Sequence, residues 1–262
     1  MEILQKNGRG GFMHIISPKN HTEANKVWRE KLGGRPNGAR VLGEAQAKYL
    51  SKEFAKYYDL LVTYSVNLPF EIPEGTKRIA VMWHQNYPWT EGFKQWQRVN
   101  IKLKDYQVDY FVNEHKMVDL IKEVNGNAFF LPRFVDTEVL PKPMEKTIDT
   151  LWYGNRWNEF AEEFDIYKRK AYKPLWVSQG RLGDGDKIIK DNLTHEESLD
   201  ILRRARIVWA IGVSQLEAQA FGAKVVPYRG QVLPFYTEKT APVYLRRLLD
   251  KIWAERNPRF GE

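Results

Sequence analysis

The chain alternates short apolar runs with longer amphipathic segments along most of its length. Continuous apolar runs of strand length predict buried strands, the clearest being "DLLVTYS" (59–65), "RIAVMW" (78–83), "VDYFVN" (108–113) and "RIVWAIG" (206–212). Further strands are predicted by "MEILQ", "FMHIIS", "AFFLPRF", "TIDTLWYG", "PLWVSQG" and "KVVPY". Apolar residues at helical spacing predict helices at 22–32, 43–58, 114–126, 158–171, 195–205, 214–222 and 241–256. Because strands that alternate with helices are typical of βαβ units, we predict an α/β fold with parallel sheets.

A proline-rich polar stretch, "LPKPMEKT" (140–147), interrupts this alternation and predicts a linker. We predict that it separates an N-terminal, acceptor-side Rossmann-like domain, residues 1–141, from a C-terminal, nucleotide-binding Rossmann-like domain, residues 147–262. The last helix is a candidate for packing back on the first domain. Ligands of such folds bind beyond the carboxyl ends of the strands, and a cleft between domains is a favoured pocket.

Composition narrows the class of protein. The 262 residues include 41 Lys and Arg against 33 Asp and Glu, a net charge of +8. This balance favours a polyanionic partner, which leaves open nucleic acid, an anionic membrane surface and phosphorylated small molecules. The absence of cysteine excludes disulfides, thiolate catalysis and cysteine zinc sites. No apolar run approaches the roughly 20 residues that cross a bilayer, and the N-terminus lacks a signal-peptide layout, so we expect a cytoplasmic protein.

The segment "SQLEAQAFGAKVV" (214–226) has two interpretations. Ser214 and Glu217 have the S-x-x-E spacing of a helix capping box, in which each side chain satisfies an N–H group at the helix start. The predicted helix also follows a predicted buried strand, so its N-terminus would open at a ligand-binding edge and suit a diphosphate. A carboxylate about one turn in could accept hydrogen bonds from both hydroxyls of a ribose. The sequence leaves both interpretations open.

Three segments resemble a known family in the order in which they occur. "LEAQAFGAKVV" resembles the E-A-x-A-x-G-x-x-V-V signature of GT-B glycosyltransferases. "LPRFVDTEVLP" (131–141) is similar to the segment that leads from their first domain into the second, and "LTHEESLDILRRARIVWA" (193–210) is similar to the helix and strand before their donor site. The resemblance implies two Rossmann-like domains whose parallel sheets face each other across a cleft, with Glu217 on the ribose of a sugar nucleotide. The large retaining branch carries an acidic residue where this chain has Trp209.

A second resemblance concerns the acceptor. "MEILQKNGRGG" (1–11) and "KTIDTLWYGNRW" (146–157) resemble segments of the DNA glucosyltransferases of T-even phages. This likeness implies a UDP-sugar donor, a modified base in DNA as acceptor and, for a phage protein, the host cytoplasm as location. It agrees with the basic charge of the chain.

Donor-binding residues are predicted at loops that follow strands. Glycines after the first strand would let backbone N–H groups approach a phosphate, and an arginine suits a diphosphate through its planar fork. Plain turns and solvated surface arginines are the alternatives. The donor set comprises Gly10, Gly11, Asn155, Arg156, Arg181, Ser214, Gln215 and Glu217.

The acceptor side is predicted at the end of strand 78–83. His84 is the predicted catalytic base for the acceptor hydroxyl. The alternatives are a structural histidine and, in a retaining enzyme, a residue that contacts the donor sugar. Basic and aromatic residues interleave over 83–104. This pattern is typical of a surface that binds nucleic acid or a flipped base, and also of an amphipathic patch that lies on a membrane. The third interpretation is a loop whose aromatic side chains pack on the core. The acceptor set comprises Trp83, Gln85, Tyr87, Trp89 and Arg98.

We therefore predict a glycosyltransferase that moves a sugar from a nucleotide-diphosphate donor, a UDP-sugar by preference, to an acceptor hydroxyl on a modified base in DNA. The alternatives are transfer to a glycan or lipid-linked acceptor of the cell envelope, and a non-catalytic nucleic-acid-binding protein of the same fold. No tightly bound cofactor is expected. The five histidines lack metal-ligand spacing and "DGD" (184–186) predicts a turn, so we predict no metal site, although Mg²⁺ at the diphosphate stays compatible with the sequence. The oligomeric state is left open.

Overall fold

The computed structural model describes residues 3–6, 12–16, 38–63, 71–83, 89–124, 126–153, 161–171, 174–177, 195–227 and 231–257. The helix expected at 22–32 and the glycine loop at 8–11 lie outside these residues. The described chain forms two compact units. It passes from unit 1 to unit 2 between Arg133 and Phe134 and returns to unit 1 at Glu238.

The strands of unit 1 form one sheet in chain order: β1 (Ile3–Lys6), β2 (Phe12–Ile16), β3 (Leu60–Val62), β4 (Arg78–Trp83), β5 (Gln107–Val112) and β6 (Ala128–Phe130). β1 pairs antiparallel with β2, and the remaining neighbours are parallel. In unit 2 the strands are β7 (Ile148–Tyr153), β8 (Pro174–Val177), β9 (Ala205–Ala210) and β10 (Lys224–Pro227), all parallel, in the order β10-β9-β7-β8.

The helices of the described chain are α1 (Gly38–Phe54), α2 (Trp89–Lys102), α3 (His115–Glu123), α4 (Ala161–Lys170), α5 (His195–Leu202), α6 (Val213–Ala220) and α7 (Ala241–Arg256). A short 3₁₀ turn spans Thr137–Val139. The α/β class with parallel sheets is thereby confirmed. None of these helices combines the length and apolar character that a bilayer span requires.

The central strands β3, β4, β5 and β7 are buried on both faces, which explains why they are continuous apolar runs. In unit 1, Ile79 and Val81 of β4 pack with α2 and α3. From β5, Phe111 meets Phe54 of α1 edge to face, at 4.8 Å between ring centroids. In unit 2 the consecutive residues Leu151 and Trp152 belong to two different apolar clusters, because successive side chains of a strand point to opposite faces.

Helix α2 was not predicted from the sequence, because basic and aromatic residues interleave over this stretch. Its apolar residues Phe93, Trp96 and Val99 recur every three residues, and they pack on the core of unit 1. Lysine, glutamine and arginine occupy the positions between them, so the helical spacing is hard to recognise in the sequence. Among the described side chains of α2, the aromatic ones face inward and the cationic ones face outward.

Helix α7, the last described element, belongs to unit 1. The Arg256 guanidinium donates to both carboxylate oxygens of Asp109 in β5, at 2.6 and 2.7 Å. The Tyr58 hydroxyl donates to the same carboxylate at 2.7 Å. Nearer its start, α7 pairs Arg246 with Glu53 of α1 through two hydrogen bonds, at 2.7 and 3.1 Å.

Candidate functional site

The strand order of unit 2 creates a switch point between β7 and β9. From β7 the chain crosses to β8 on one side and later returns to β9 on the other side of β7. In open α/β sheets, ligands bind at the carboxyl ends of the strands where the order reverses in this way. Tyr153 of β7 and Ala210 of β9 are register partners at these ends. We call the carboxyl ends of β7 and β9, together with the first turn of α6, the switch edge.

The turn from β9 into α6 is made by Gly212, whose φ of 64° and ψ of −138° are a backbone conformation that essentially only glycine adopts. This residue is the N-cap of α6, and no side chain hydrogen-bonds to the cap. Ser214 and Glu217 are therefore the second and fifth residues of the helix. The predicted capping box is wrong, because the glycine lets the helix begin ahead of Ser214.

Glu217 is the unusual residue of this helix. Its side chain lies in the core, with 6% of the residue exposed, and no hydrogen bond or ion pair joins its carboxylate to any other described residue. Burial raises the pKa of Glu217 to about 8. Side chains of a helix lean toward its N-terminus, and the N-terminus of α6 lies at the switch edge. A buried carboxylate is costly to ionise unless hydrogen-bond donors reach it.

Gln215, a predicted donor contact, has its amide engaged by the protein. Its Oε1 accepts from the Leu233 N–H at 3.0 Å, and its Nε2 donates to the Gln231 carbonyl at 3.5 Å. One turn later, Gln219 donates to the Leu233 carbonyl at 3.1 Å. The two glutamines therefore hold residues 231–233 alongside α6. Ser214, at the second helix position, is half-buried.

The described part of the acceptor set is divided between core and surface. Trp83 ends β4 and is 2% exposed within the core of unit 1, so it is not available to an acceptor as the structure stands. Arg98 is exposed on α2. Trp89 begins α2, but its side chain lies outside the described residues. The predicted residues that lie wholly outside them are Gly10, Gly11, His84, Gln85, Tyr87, Asn155, Arg156 and Arg181.

The structure also brings together polar residues that sequence reasoning missed, at the carboxyl ends of β5 and β6. Glu114 follows β5 and lies 3.9 Å from the guanidinium of Arg133, which is 6% exposed. Burial raises the pKa of Glu114, and the charges of Arg133 and His115 partly offset this rise. The His115 ring stacks on Phe130 at 3.9 Å. The signal in the sequence was the polar triplet "NEH" directly after an apolar run.

Comparisons of the chain with protein-family models, with curated proteins and with solved structures found no match. Within the described residues, no three His, Asp or Glu side chains are grouped so that they could hold a metal ion.

Proposed function

We propose that the protein is a glycosyltransferase that binds a nucleotide-diphosphate sugar, a UDP-sugar by preference, at the switch edge and transfers the sugar to an acceptor hydroxyl. The observation that carries this proposal is the Glu217 carboxylate, buried without a described protein partner on a helix that begins at the switch point of a parallel sheet. A ribose offers two neighbouring hydroxyl donors, which match the two oxygens of that carboxylate.

The diphosphate would be held by groups that follow three neighbouring strands. The first N–H groups of α6 have no partner within the helix and favour an anion. Asn155 and Arg156 come two and three residues after β7, which ends at Tyr153. Arg181 comes four residues after β8, which ends at Val177. Arginine fits this role because its guanidinium forms paired hydrogen bonds with phosphate oxygens.

Unit 1 would receive the acceptor, and the two units would be the two Rossmann-like domains of a GT-B enzyme. His84 remains the proposed base, with Glu114 at the end of the neighbouring strand β5 as a second group able to take the hydroxyl proton. The raised pKa of Glu114 brings this carboxyl closer to the range in which proton transfer at neutral pH is efficient. A modified base in DNA is the acceptor we propose, since the net charge of +8 favours a polyanion.

Calorimetric titration with UDP, GDP and their sugars tests the donor site. We expect one nucleotide series to bind and the Glu217→Ala variant to lose most of that affinity. Glu196→Ala, which changes an exposed glutamate of α5, is the matched control and should bind like the wild type. Mass spectrometry of acceptors after incubation with the bound sugar nucleotide then tests transfer. Absence of binding by any nucleotide would refute the proposal and favour the non-catalytic alternative.

The pH dependence of binding tests the role of Glu217 itself. With a pKa of about 8 in the free protein, the carboxylate is ionised in only about one molecule in ten at pH 7. If ribose hydroxyls donate to the ionised form, the affinity for a UDP-sugar rises about fiftyfold from pH 6 to pH 8, because the binding-competent fraction rises by that factor. Affinity that is flat over this range would contradict the ribose contact.

A further inference from the structure

Unit 1 contains a cavity of about 510 Å³ at the amino ends of strands β5 and β6. Gln107 and Val108, the first residues of β5, line it together with Gly126 and Asn127, which precede β6. Strand β5 is six residues long, so its two ends are roughly 17 Å apart. The cavity therefore lies at the opposite edge of the sheet from Glu114, which follows the carboxyl end of β5.

Several side chains that line the cavity offer hydrogen-bond donors to a ligand. Lys104 lines it from the segment after α2, is exposed, and forms no ion pair with any residue in the described part of the chain. Arg256 lines it from the end of α7, and Asp109 takes two of the five N–H groups of this guanidinium. The side-chain amides of Asn100 and Asn127 add NH₂ groups.

The carboxylate that lines the cavity already has its donors. Each oxygen of Asp109 accepts from Arg256, and one of them also accepts from the Tyr58 hydroxyl at 2.7 Å. At the amide of Asn100, Oδ1 accepts from the Tyr110 hydroxyl at 2.9 Å, which leaves the NH₂ group for a ligand. A ligand that brings acceptors complements these side chains better than one that brings donors.

The charge of the cavity also favours an anion. Helices α2 and α3 end at this edge of the sheet, and the C-terminal end of a helix carries a partial negative charge. Lys102 and Lys122, in the last turns of these helices, offset that charge. Among the side chains that line the cavity, Lys104 and Arg256 are cationic and Asp109 is the acidic one, so the lining has a net positive charge.

We propose that this cavity binds a small metabolite through its phosphate monoester group. Such a group carries close to two negative charges at pH 7 and three strong acceptor oxygens, which match the donors of Lys104, Arg256 and Asn100. A carboxylate has one charge and two oxygens, and leaves more of these donors unused. The apolar side chains of Leu103 and Val108 would contact the organic part of the ligand. The volume lies within the range of about 300 to 1,000 Å³ that small-molecule sites have.

A ligand at this place would join two separate parts of unit 1. Lys104 lies between α2 and β5, whereas Arg256 is the last residue of α7. The bound phosphate would contact both, so the end of α7 should open less often in the complex than in the free protein. The inference does not depend on the proposed function, because the sugar nucleotide is proposed to bind at the switch edge of unit 2.

A two-dimensional ¹H–¹⁵N NMR titration with glycerol 3-phosphate, glucose 6-phosphate and AMP, in a buffer without phosphate, tests the proposal. We expect at least one of these esters to bind saturably and to shift the backbone amide resonances of residues 103–109 and 126–127. Inorganic phosphate should shift the same resonances at higher concentrations, and succinate, the carboxylate probe, should bind more weakly than the best ester. Hydrogen exchange in the last turn of α7 should slow when that ester is bound.

The test variants are Lys104→Gln and Asn100→Asp. Lys104→Gln removes the ammonium, so the affinity for the ester should fall about tenfold, as expected for the loss of a charge-assisted hydrogen bond. Asn100→Asp keeps an acceptor for the Tyr110 hydroxyl but replaces the NH₂ group by a negatively charged oxygen, so the affinity should fall further. The matched control is Lys102→Gln, which removes the same charge from an exposed side chain outside the lining of the cavity and should bind within about twofold of the wild type. Circular dichroism melting confirms that the variants fold.

Absence of saturable binding by the three esters and by inorganic phosphate overturns the proposal, as does an affinity that Lys104→Gln leaves unchanged or that Lys102→Gln lowers equally. If succinate binds more tightly than every ester, the ligand is a carboxylate and the inference is wrong. Resonance shifts that are confined to α6 and disappear in Glu217→Ala would mean that the esters bind at the switch edge, which contradicts the cavity and agrees with the proposed function. Binding that survives in Glu217→Ala and weakens in Lys104→Gln upholds this inference, whether or not a sugar nucleotide binds.

Discussion

Replacement of Glu217 by glutamine is expected to stabilise the protein at neutral pH. The pKa of Glu217 is raised from 4.5 to about 8 by burial. Between these values the unfolded chain has released the proton that the native state still holds, so stability falls as pH rises. One unit of pKa shift corresponds to about 1.36 kcal/mol, so the carboxyl costs about 3 kcal/mol at pH 7 and little at pH 4.5. Glutamine keeps the shape of the side chain and has no proton to lose.

Urea denaturation at pH 5, 6, 7 and 8, with hydrogen exchange of β9 as the readout, measures this effect in unit 2. The stability difference between Glu217→Gln and the wild type should grow by about 1.4 kcal/mol per pH unit and reach about 3 kcal/mol at pH 7. Glu196→Gln on the surface of α5 is the control and should differ little from the wild type at any pH. A difference that does not change with pH, or a variant less stable than the wild type at pH 7, would refute the reasoning.

The expected gain also bears on function. A residue kept at a cost in stability is often one that a binding site requires. The same Glu217→Gln variant is therefore expected to lose the rise in UDP-sugar affinity between pH 6 and pH 8. More stability together with less binding would distinguish a ligand contact from a residue of the core.

Three further predictions concern the fold. Asp109→Asn removes the charge that faces Arg256 and should lower the free energy of unfolding by about 2 to 3 kcal/mol in urea; a loss below about 1 kcal/mol would mean that the pair matters little. Lys146→Met leaves two carbonyls at helix ends without their donor and should cost about 1 to 3 kcal/mol in the same assay, whereas Lys142→Met in the same segment should cost little. The hydrogen bonds from Arg246 hold the pKa of Glu53 at about 2, so their stabilisation is present above pH 4.5 and is lost as pH falls toward 2; Glu53→Gln should flatten this acid dependence of the melting temperature.

The elements that the sequence predicts well are those whose burial is continuous. Strand β4 was predicted with its observed limits because each residue from Ile79 to Trp83 is buried, so no polar position interrupts the run. Helix α7 was predicted equally well from its regular spacing. Helix α2 was missed because Lys94 and Arg98 alternate with aromatic residues and conceal the helical period. Only the folded structure shows that the apolar residues of α2 lie on its inner face and the cations on its outer face.

The site depends on strand order, which sequence periodicity does not determine. The segment around Glu217 was found from its resemblance and from its position after a strand. That β7 lies between β8 and β9, and that a switch point follows, depends on pairings between distant parts of the chain. The approach of Arg133 to Glu114 depends in the same way on the pairing of β5 with β6. Pairings of this kind are long-range properties of the folded state.

The membership of α7 in unit 1 has a consequence for the order in which the protein folds during synthesis. The ribosome delivers β7–β10 and α4–α6 before it delivers α7, so unit 2 can complete its sheet while unit 1 still lacks a helix. Until then the carboxylates of Glu53 and Asp109 have not met their arginine partners. The first unit can therefore complete its ion pairs only after α7 has been synthesised.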